Sequence, residues 1–204
     1  MGGMVFTVQD HYFRKAKKQH YLARAVYKLE EIQKRFKILR AGDRVLDLGA
    51  APGSWIQFAC GVVGGSGLIV GIDLKPIEHA FSNRVVTLHG DIFDREFVEA
   101  AIRDYIPFDV VLSDMAPATS GIKAADSARS ALLFERAFEI ALRSLRPEGT
   151  FLAKIFHGSE FHHFLSEVKK RFGGTRVIRP EATRKQSREI YILAMNLKRP
   201  PAQG

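Results

Sequence analysis

The chain has 204 residues, of which 46% are apolar, and this is enough to bury the core of one globular domain. Lysine and arginine (31) outnumber aspartate and glutamate (22), and the net charge of +9 favours a polyanionic partner such as RNA, DNA or an acidic membrane surface. The only cysteine, Cys60, excludes an internal disulfide, and the sequence contains neither a long apolar run nor the apolar core of a signal peptide. These features predict a cytoplasmic protein.

The N-terminal region has a helical pattern. Between residues 10 and 40, Ala25, Leu29, Ile32 and Phe36 recur at intervals of three or four residues with charges between them. Apolar strand-like runs then alternate with segments long enough for crossover helices. The predicted strands are 44–48, 68–73, 85–88, 108–113 and 150–156, and the predicted helices are 54–62, 95–105 and 127–145. Such alternation predicts a parallel sheet with helices on both faces.

A glycine-bounded turn follows the first predicted strand. The strand ends at Leu48, and the segment Gly49-Ala50-Ala51-Pro52-Gly53 leads into a helix, so that backbone can approach a bound cofactor closely. Asp73 closes the next strand, where nucleotide-binding α/β folds place the acid that binds ribose hydroxyls. Dinucleotides and S-adenosylmethionine both carry an adenosine ribose, so the turn and the acid leave both cofactors open.

The C-terminal part departs from this alternation. After a predicted helix at 160–172, the predicted strands 175–178 and 189–196 are joined by a short basic connection, which favours antiparallel pairing. A mostly parallel seven-stranded sheet with an antiparallel last strand is typical of the Rossmann-like fold of S-adenosylmethionine-dependent methyltransferases, and it argues against a dehydrogenase. We predict a single domain over residues 1–204: a basic helical region at about 10–40, a catalytic α/β core at about 41–197 and a tail at 198–204.

Two lysines stand in apolar surroundings. Lys28 lies between Tyr27 and Leu29, and Lys154 interrupts a strand that should be buried. An unpaired buried ammonium costs several kcal/mol, so each lysine needs a partner. Asp114, after the strand 108–113, and Glu189, at the start of the last strand, are the natural counter-ions.

With these segments in this order, the sequence resembles the FtsJ-like (RrmJ-like) RNA ribose 2′-O-methyltransferases over about residues 10–197. Lys28, Asp114, Lys154 and Glu189 match the family's Lys-Asp-Lys-Glu tetrad. The words around them also match, namely Arg24-Ala25-Val26-Tyr27-Lys28-Leu29, Gly49-Ala50-Ala51-Pro52-Gly53-Ser54-Trp55, Asp73-Leu74, Gly90-Asp91-Ile92 and Ser113-Asp114-Met115-Ala116-Pro117. The resemblance implies S-adenosylmethionine as cofactor and 23S rRNA of the large ribosomal subunit as substrate, at a uridine in the A-loop.

The reaction makes demands on the tetrad. A ribose 2′-hydroxyl is a poor nucleophile at neutral pH, so the site must position it and withdraw its proton. Lys154 could be the base if it is neutral for part of the time; if it stays charged, it would stabilise the developing alkoxide. The sequence leaves both roles open. The resemblance implies that Lys28 and Glu189 hold the target ribose and the network.

The resemblance also assigns a cofactor site. The glycine turn is expected to face the methionine part, Asp73 the ribose, Asp91 the adenine, and Asp47 the amino group through water. The full expected set is Asp47, Gly49, Ala51, Pro52, Gly53, Trp55, Asp73, Asp91, Ile92 and Asp114. Taken singly, Asp47 and Asp91 could equally be turn or cap acids. No histidine group has metal-ligand spacing, and we expect no metal.

Two basic clusters are candidates for RNA contact. Basic residues meet phosphates, and the aromatic residues interleaved with the first cluster offer stacking faces for unpaired bases. The clusters comprise Arg14, Lys15, Lys17, Lys18 and Arg24, and then Arg179, Arg184, Lys185 and Arg188. The alternative is that they form solvated surface. A monomer acting on RNA is expected.

Other functions compete with this one. Within the family, the substrate could instead be a ribose of a tRNA anticodon loop. A non-catalytic RNA-binding factor for ribosome assembly would keep the pocket only as scaffold, but the complete tetrad argues against it. A nicotinamide-dependent dehydrogenase is disfavoured because the turn reads Gly-Ala-Ala-Pro-Gly in place of Gly-x-Gly-x-x-Gly.

Overall fold

A computed structural model describes residues 8–81, 84–184 and 186–199 of the chain. A seven-stranded sheet in the order β3-β2-β1-β4-β5-β7-β6 forms its centre. The strands are β1 (Arg44–Leu48), β2 (Leu68–Asp73), β3 (Val85–His89), β4 (Phe108–Ser113), β5 (Leu145–Phe156), β6 (Phe172–Ile178) and β7 (Glu189–Leu197). The helices are α1 (Val8–Lys18), α2 (Val26–Phe36), α3 (Ser54–Val63), α4 (Arg95–Ile102), α5 (Lys123–Ser144) and α6 (Phe161–Arg171). The α/β fold with one antiparallel strand, β7, is confirmed.

Helices cover both faces of the sheet, because the strands carry apolar side chains on both sides. On one face, α4, α5 and α6 bury a core rich in phenylalanine, including Phe134, Phe138 and Phe151. On the other face, α2 and α3 pack Ile32 and Ile56 against the central strands. The core is therefore continuous across β1, β4, β5 and β7, and it fixes the strand ends that carry polar residues.

The carboxyl ends of the parallel strands converge at one edge of the sheet, where open α/β folds bind their ligands. β7 runs the opposite way, and its register pairs Glu189 with Phe156 and Tyr191 with Lys154. Its first residues therefore reach the edge at which β1, β2, β4 and β5 end. Antiparallel pairing is what brings Glu189 to this edge.

The predicted single helix over 10–40 is wrong in two respects, because residues 19–25 form turns between α1 and α2 and because α2 ends at Phe36. His20 has a left-handed backbone (φ 58°), and the N–H of Tyr21 donates to the carbonyl of Ala16 at 2.9 Å. Glycine is the usual marker of such a helix end, and histidine is not. Ala16 then packs on Val26, Tyr27 and Ala182, which docks α1 on α2.

The other predicted elements exist; the predicted ends of β1, β2 and β4 are confirmed, and those of several other elements are shifted. α5 begins at Lys123 rather than at residue 127, and α4 ends at Ile102 rather than at 105. β5 begins at Leu145, which pairs with Phe108 ahead of the predicted start at 150. The predicted segment 198–204 is described only for its first two residues. Within the described ranges, every helix is too short or too polar to cross a membrane.

Candidate active site

Four charged side chains meet at the carboxyl edge of the sheet. Lys28 comes from the buried side of α2, Asp114 follows β4, Lys154 lies in β5 and Glu189 opens β7. The order β4-β5-β7 makes their strands neighbours, and α2 covers this part of the sheet. Residues separated by up to 161 positions in the chain thus share one site.

The four form a continuous network. Lys28 Nζ lies 2.8 Å from Glu189 Oε2 and 3.5 Å from Asp114 Oδ1. Lys154 Nζ lies 3.0 Å from the same Asp114 oxygen and donates to the Asp114 carbonyl at 2.7 Å. Asp114 is the shared acceptor between the two lysines. Each lysine therefore has the counter-ion that its burial requires.

Lys28 and Asp114 stabilise each other in the ionised state. Burial disfavours the ammonium of Lys28, but Asp114 and Glu189 outweigh it and raise its pKa. Burial likewise disfavours the carboxylate of Asp114, but Lys154 and Lys28 outweigh it and lower its pKa, helped by a hydrogen bond from Tyr191. Lys28 is thus a fixed cation.

Lys154 is the most enclosed of the four, with a side chain 4% exposed against 21% for Glu189. Its neighbours in β5, Ala153 and Ile155, are buried and apolar. Lys154 is therefore fixed in one position, with its amine on the Asp114 side of the strand. A rigidly held amine is what positioning a reacting hydroxyl requires.

Tyr191 is a member of the network that the sequence analysis did not assign. It is fully buried, it lies opposite Lys154 in the sheet, and its hydroxyl donates to Asp114 Oδ1. Burial and the negative charge of Asp114 raise its pKa well above the usual value. The signal was present, because residues 189 and 191 of one strand point to the same face.

The glycine turn after β1 is held by its own hydrogen bonds. The N–H groups of Gly49 and Ala50 donate to the carbonyl of Ile72, and that of Gly53 donates to the carbonyl of Ala50. Gly49 has φ 79°, and a Cβ built on it would lie 2.3 Å from Met115 Cγ. Only glycine fits there. These N–H groups already form hydrogen bonds within the turn. A ligand would therefore use the space that glycine leaves by having no side chain, together with the first turn of α3.

Asp73 ties the turn to the end of β2. Its Oδ2 accepts from the N–H of Ala51 at 2.9 Å, and its Oδ1 accepts from the N–H of Lys75 at 2.8 Å. Each carboxylate oxygen keeps a second lone pair for a ligand. Asp73 therefore combines a structural role with its expected position at the site.

Asp47 is the clearest sign of a missing partner. It is 1% exposed, and among the residues that the structure describes neither of its carboxylate oxygens has a hydrogen-bond partner. Burial, with Asp114 and Asp73 nearby, raises its pKa well above the usual value. An unpartnered buried carboxyl of this kind fits a bound cation, such as the amino group of a methionine moiety.

The remaining expected cofactor residues have internal contacts. Trp55 is buried, and its indole N–H donates to the carbonyl of Ala25. Asp91 is exposed and accepts from the N–H of Phe93, while buried Ile92 accepts from Arg136 through its carbonyl. Pro52 lies in the turn after a cis peptide bond. Asp91 is thus accessible to a ligand, whereas Trp55 forms part of the buried wall of the candidate site.

The basic candidates divide into two groups. Arg14, Lys17, Lys18 and Arg184 are exposed, and Lys15 lies 4.4 Å above the ring of Tyr27. Lys185 lies outside the described residues. The other three bind carbonyls of the chain: Arg24 donates to Ala182, Arg179 to Ser187 and Arg188 to Lys123. These three arginines therefore hold the β6–β7 connection, residues 179–188, in place.

Comparison with known proteins gives a consistent result. The model of the FtsJ-like methyltransferase family matches residues 21–197. Ribosomal RNA large subunit methyltransferase E of Syntrophobacter fumaroxidans is 62% identical over 196 residues, covering 96% of this chain and 100% of the relative. The protein of the same name from Bdellovibrio bacteriovorus is 42% identical, with 96% and 100% coverage. A Plasmodium falciparum chain described as a ribosomal RNA methyltransferase has a TM-score of 0.75 at 25% identity, covering 87% of this chain and 98% of that one. The fold of this chain and these matches show that it belongs to the FtsJ-like methyltransferase family.

Proposed function

We propose that this methyltransferase uses S-adenosylmethionine to methylate a ribose 2′-hydroxyl of 23S rRNA, at a uridine in the A-loop of the large ribosomal subunit. The observation that carries the proposal is the buried Lys28–Asp114–Lys154–Glu189 network at the carboxyl edge of the sheet. The relatives named for methylation of large-subunit ribosomal RNA support the choice of RNA. The protein would act as a monomer in the cytoplasm.

The network has the groups that methylation of a hydroxyl needs. Lys154 would meet the 2′-hydroxyl, because its amine is held by Asp114 at the place where three elements converge. In its neutral form the amine would take the hydroxyl proton, and in its charged form it would stabilise negative charge on the oxygen. Lys28 and Glu189 would orient the ribose, since their ion pair leaves Glu189 partly exposed.

The proposed cofactor site lies at the same carboxyl edge of the sheet. When bound, S-adenosylmethionine supplies a methyl group on a positively charged sulfur. Asp47 would hold the amino group, the turn at Gly49 would admit the methionine part, and Asp73 would accept from the ribose hydroxyls. Asp91, exposed after β3, would reach the adenine.

RNA would approach across α1 and the β6–β7 connection. Lys17, Lys18 and Arg184 present exposed cations, and Phe13 presents an aromatic ring that is 63% exposed. Exposed cations release counter-ions from phosphates, and an exposed ring can stack on an unpaired base. This surface therefore has the character of a single-stranded RNA contact.

Transfer of a radiolabelled methyl group tests the proposal. Purified protein would be incubated with labelled S-adenosylmethionine and, in parallel, with large subunits, small subunits or tRNA from cells that lack the activity. We expect label on large subunits only, and mapping of the nucleotide should place it at an A-loop uridine. Label on tRNA would transfer the function to the anticodon loop, and RNA binding without label would indicate an assembly factor.

A further inference from the structure

Arg188 stands immediately before Glu189, and its contacts are internal. Its Nη1 donates to the carbonyl of Lys123 at 3.0 Å and to Ser127 Oγ at 2.8 Å. Its guanidinium carbon lies 5.8 Å from the centre of the Phe156 ring. Its own carbonyl accepts from the N–H of His157 at 2.9 Å. The residue is thus attached to the first turn of α5 and to the end of β5.

The first turn of α5 is itself fixed to the loop that follows Asp114. The buried carboxylate of Asp126 accepts from the backbone N–H groups of Ser120 and Gly121 and from the hydroxyl of Ser120. Ser127 packs against Gly158, where a Cβ would lie 2.8 Å from its side chain. Arg188 therefore attaches to a rigid part of the molecule.

We propose that Arg188 is a positioning residue, which anchors the start of β7 to α5 and so holds Glu189 against Lys28. Its site is the reaction centre of the proposed function, and the inference rests on that function. A guanidinium has five N–H donors, and both hydrogens on Nη1 of Arg188 are used on a carbonyl and a hydroxyl of its own chain, which fixes the side chain against α5.

The position of Glu189 makes such an anchor necessary. It is the first residue of its strand, the described residues before it (179–184 and 186–188) form neither helix nor strand, and its side chain is 21% exposed. Its contact with Lys28 is 2.8 Å long, so a displacement of about 1 Å would remove the hydrogen bond. Displacements of that size can lower a rate by about 100-fold.

Replacement of Arg188 separates positioning from RNA binding. Arg188→Gln should lower kcat for methyl transfer to large subunits by about tenfold to 100-fold. KM for the subunit and the slope of log affinity against log salt should stay unchanged. The control is Arg143→Gln, which removes one exposed arginine with an ion pair at the other end of α5 and should leave kcat, KM and slope as in the wild type.

A second variant retains the charge of Arg188 and weakens only its anchor. Ser127→Ala deletes one hydrogen bond of Arg188, and kcat should fall about twofold to tenfold. In the double variant with Arg188→Gln, the two effects should be less than additive, because both remove the same hydrogen bond. Additive effects, or wild-type kcat in both single variants, would contradict the proposal.

The opposite pattern would make Arg188 an RNA ligand. An Arg188→Gln variant with unchanged kcat, higher KM and a salt slope reduced by roughly 0.7 would overturn the proposal. Hydrogen exchange gives a reading that does not need activity: residues 186–192 should exchange faster in Arg188→Gln than in the wild type or in Arg143→Gln. Faster exchange with no methyl transfer by the wild type would refute the proposed function alone, and unchanged exchange would refute the anchor.

Discussion

A single residue, Asp114, makes most of the contacts within the network. One of its oxygens serves Lys28, Lys154 and the hydroxyl of Tyr191, while its carbonyl serves Lys154 again. A buried charge network of this kind adds little to stability relative to an apolar core, but removal of Asp114 would take away the counter-ion of buried Lys154. Its value therefore lies in fixing the geometry of two ammonium groups.

Lys154→Ala tests the role of the enclosed amine. Alanine leaves no charge to bury, and Asp114 keeps Lys28 and Tyr191 as partners, so the fold and S-adenosylmethionine binding should persist. Methyl transfer should fall at least about 100-fold, the usual loss for a positioned acid–base group. Single-turnover assays measure this, with Lys170→Ala, an exposed lysine on α6, as control. Activity near the wild-type rate would remove Lys154 from the reaction.

Asp73→Ala tests the ribose contact. S-adenosylmethionine affinity should weaken by about 1.5–3 kcal/mol, the range for hydrogen bonds to a charged group. The structure adds a second effect, because the N–H groups of Ala51 and Lys75 lose their acceptor and the melting temperature should fall as well. Calorimetry and thermal unfolding separate the two. A lower melting temperature with unchanged affinity would reduce Asp73 to its role in the turn.

At the scale of elements, the sequence predicted what depends on local pattern. Apolar runs located β1, β2 and β4 to the residue, because both faces of these strands are buried. The break between α1 and α2 could not be found, since His20 adopts a left-handed backbone without a glycine to mark it. The hydrogen bonds of Arg24 and Arg188 to their own chain also could not be predicted from the sequence, because their partners lie 158 and 61 positions away.

α1 is the element on which RNA binding can be tested apart from the network. Replacing Lys15, Lys17 and Lys18 together by Gln should raise KM for RNA and leave S-adenosylmethionine affinity unchanged. The salt slope should decrease by roughly 0.7 for each phosphate of a single strand that these lysines no longer neutralise. Lys15 also lies over the Tyr27 ring, so its replacement should lower the free energy of unfolding by about 0.5–1 kcal/mol.

The matched control for α1 makes the same change in charge at the last turn of α6. Lys169, Lys170 and Arg171 end α6 and are exposed, and their replacement by Gln should not alter KM. Equal effects of the two triple variants would mean that net charge alone governs RNA binding. No effect of the α1 variant would direct attention to Arg184 and the β6–β7 connection.

At the scale of the whole molecule, the sheet order explains why so much of the site was predictable. In an open parallel sheet the carboxyl ends of the strands share one edge, and this rule brings Asp47 near the end of β1, Asp73 at the end of β2 and Asp114 after β4 to that edge. The exact contacts depend on the packing of α2 and on the register of β7, which no local pattern specifies. Burial, and then repulsion by Asp114 and Asp73, raise the pKa of Asp47, so its ionised form destabilises the folded protein.

Asp47→Asn tests whether the stability that the protein loses at Asp47 is linked to binding of S-adenosylmethionine. The folded protein raises the pKa of Asp47, so between the unfolded value of about 3.9 and the raised value the folded state holds a proton that the unfolded state has released. Stability from this residue therefore falls as pH rises through that window. Asn stays neutral, so the variant should match the wild type below about pH 4 and exceed it increasingly as pH rises.

At neutral pH, a tenfold difference in proton affinity between the folded and unfolded states corresponds to about 1.4 kcal/mol, and each kcal/mol raises the melting temperature by roughly 2–4 °C for a domain of this size. S-adenosylmethionine should reverse the order, because its cationic amino group would lose the Asp47 carboxylate, which has no hydrogen-bond partner in the described part of the chain. Thermal unfolding from pH 4 to pH 8, with and without the cofactor, measures both effects. A variant that melts lower at pH 7 and keeps full affinity for S-adenosylmethionine would show that Asp47 is structural, and that the cofactor's amino group binds elsewhere along this edge.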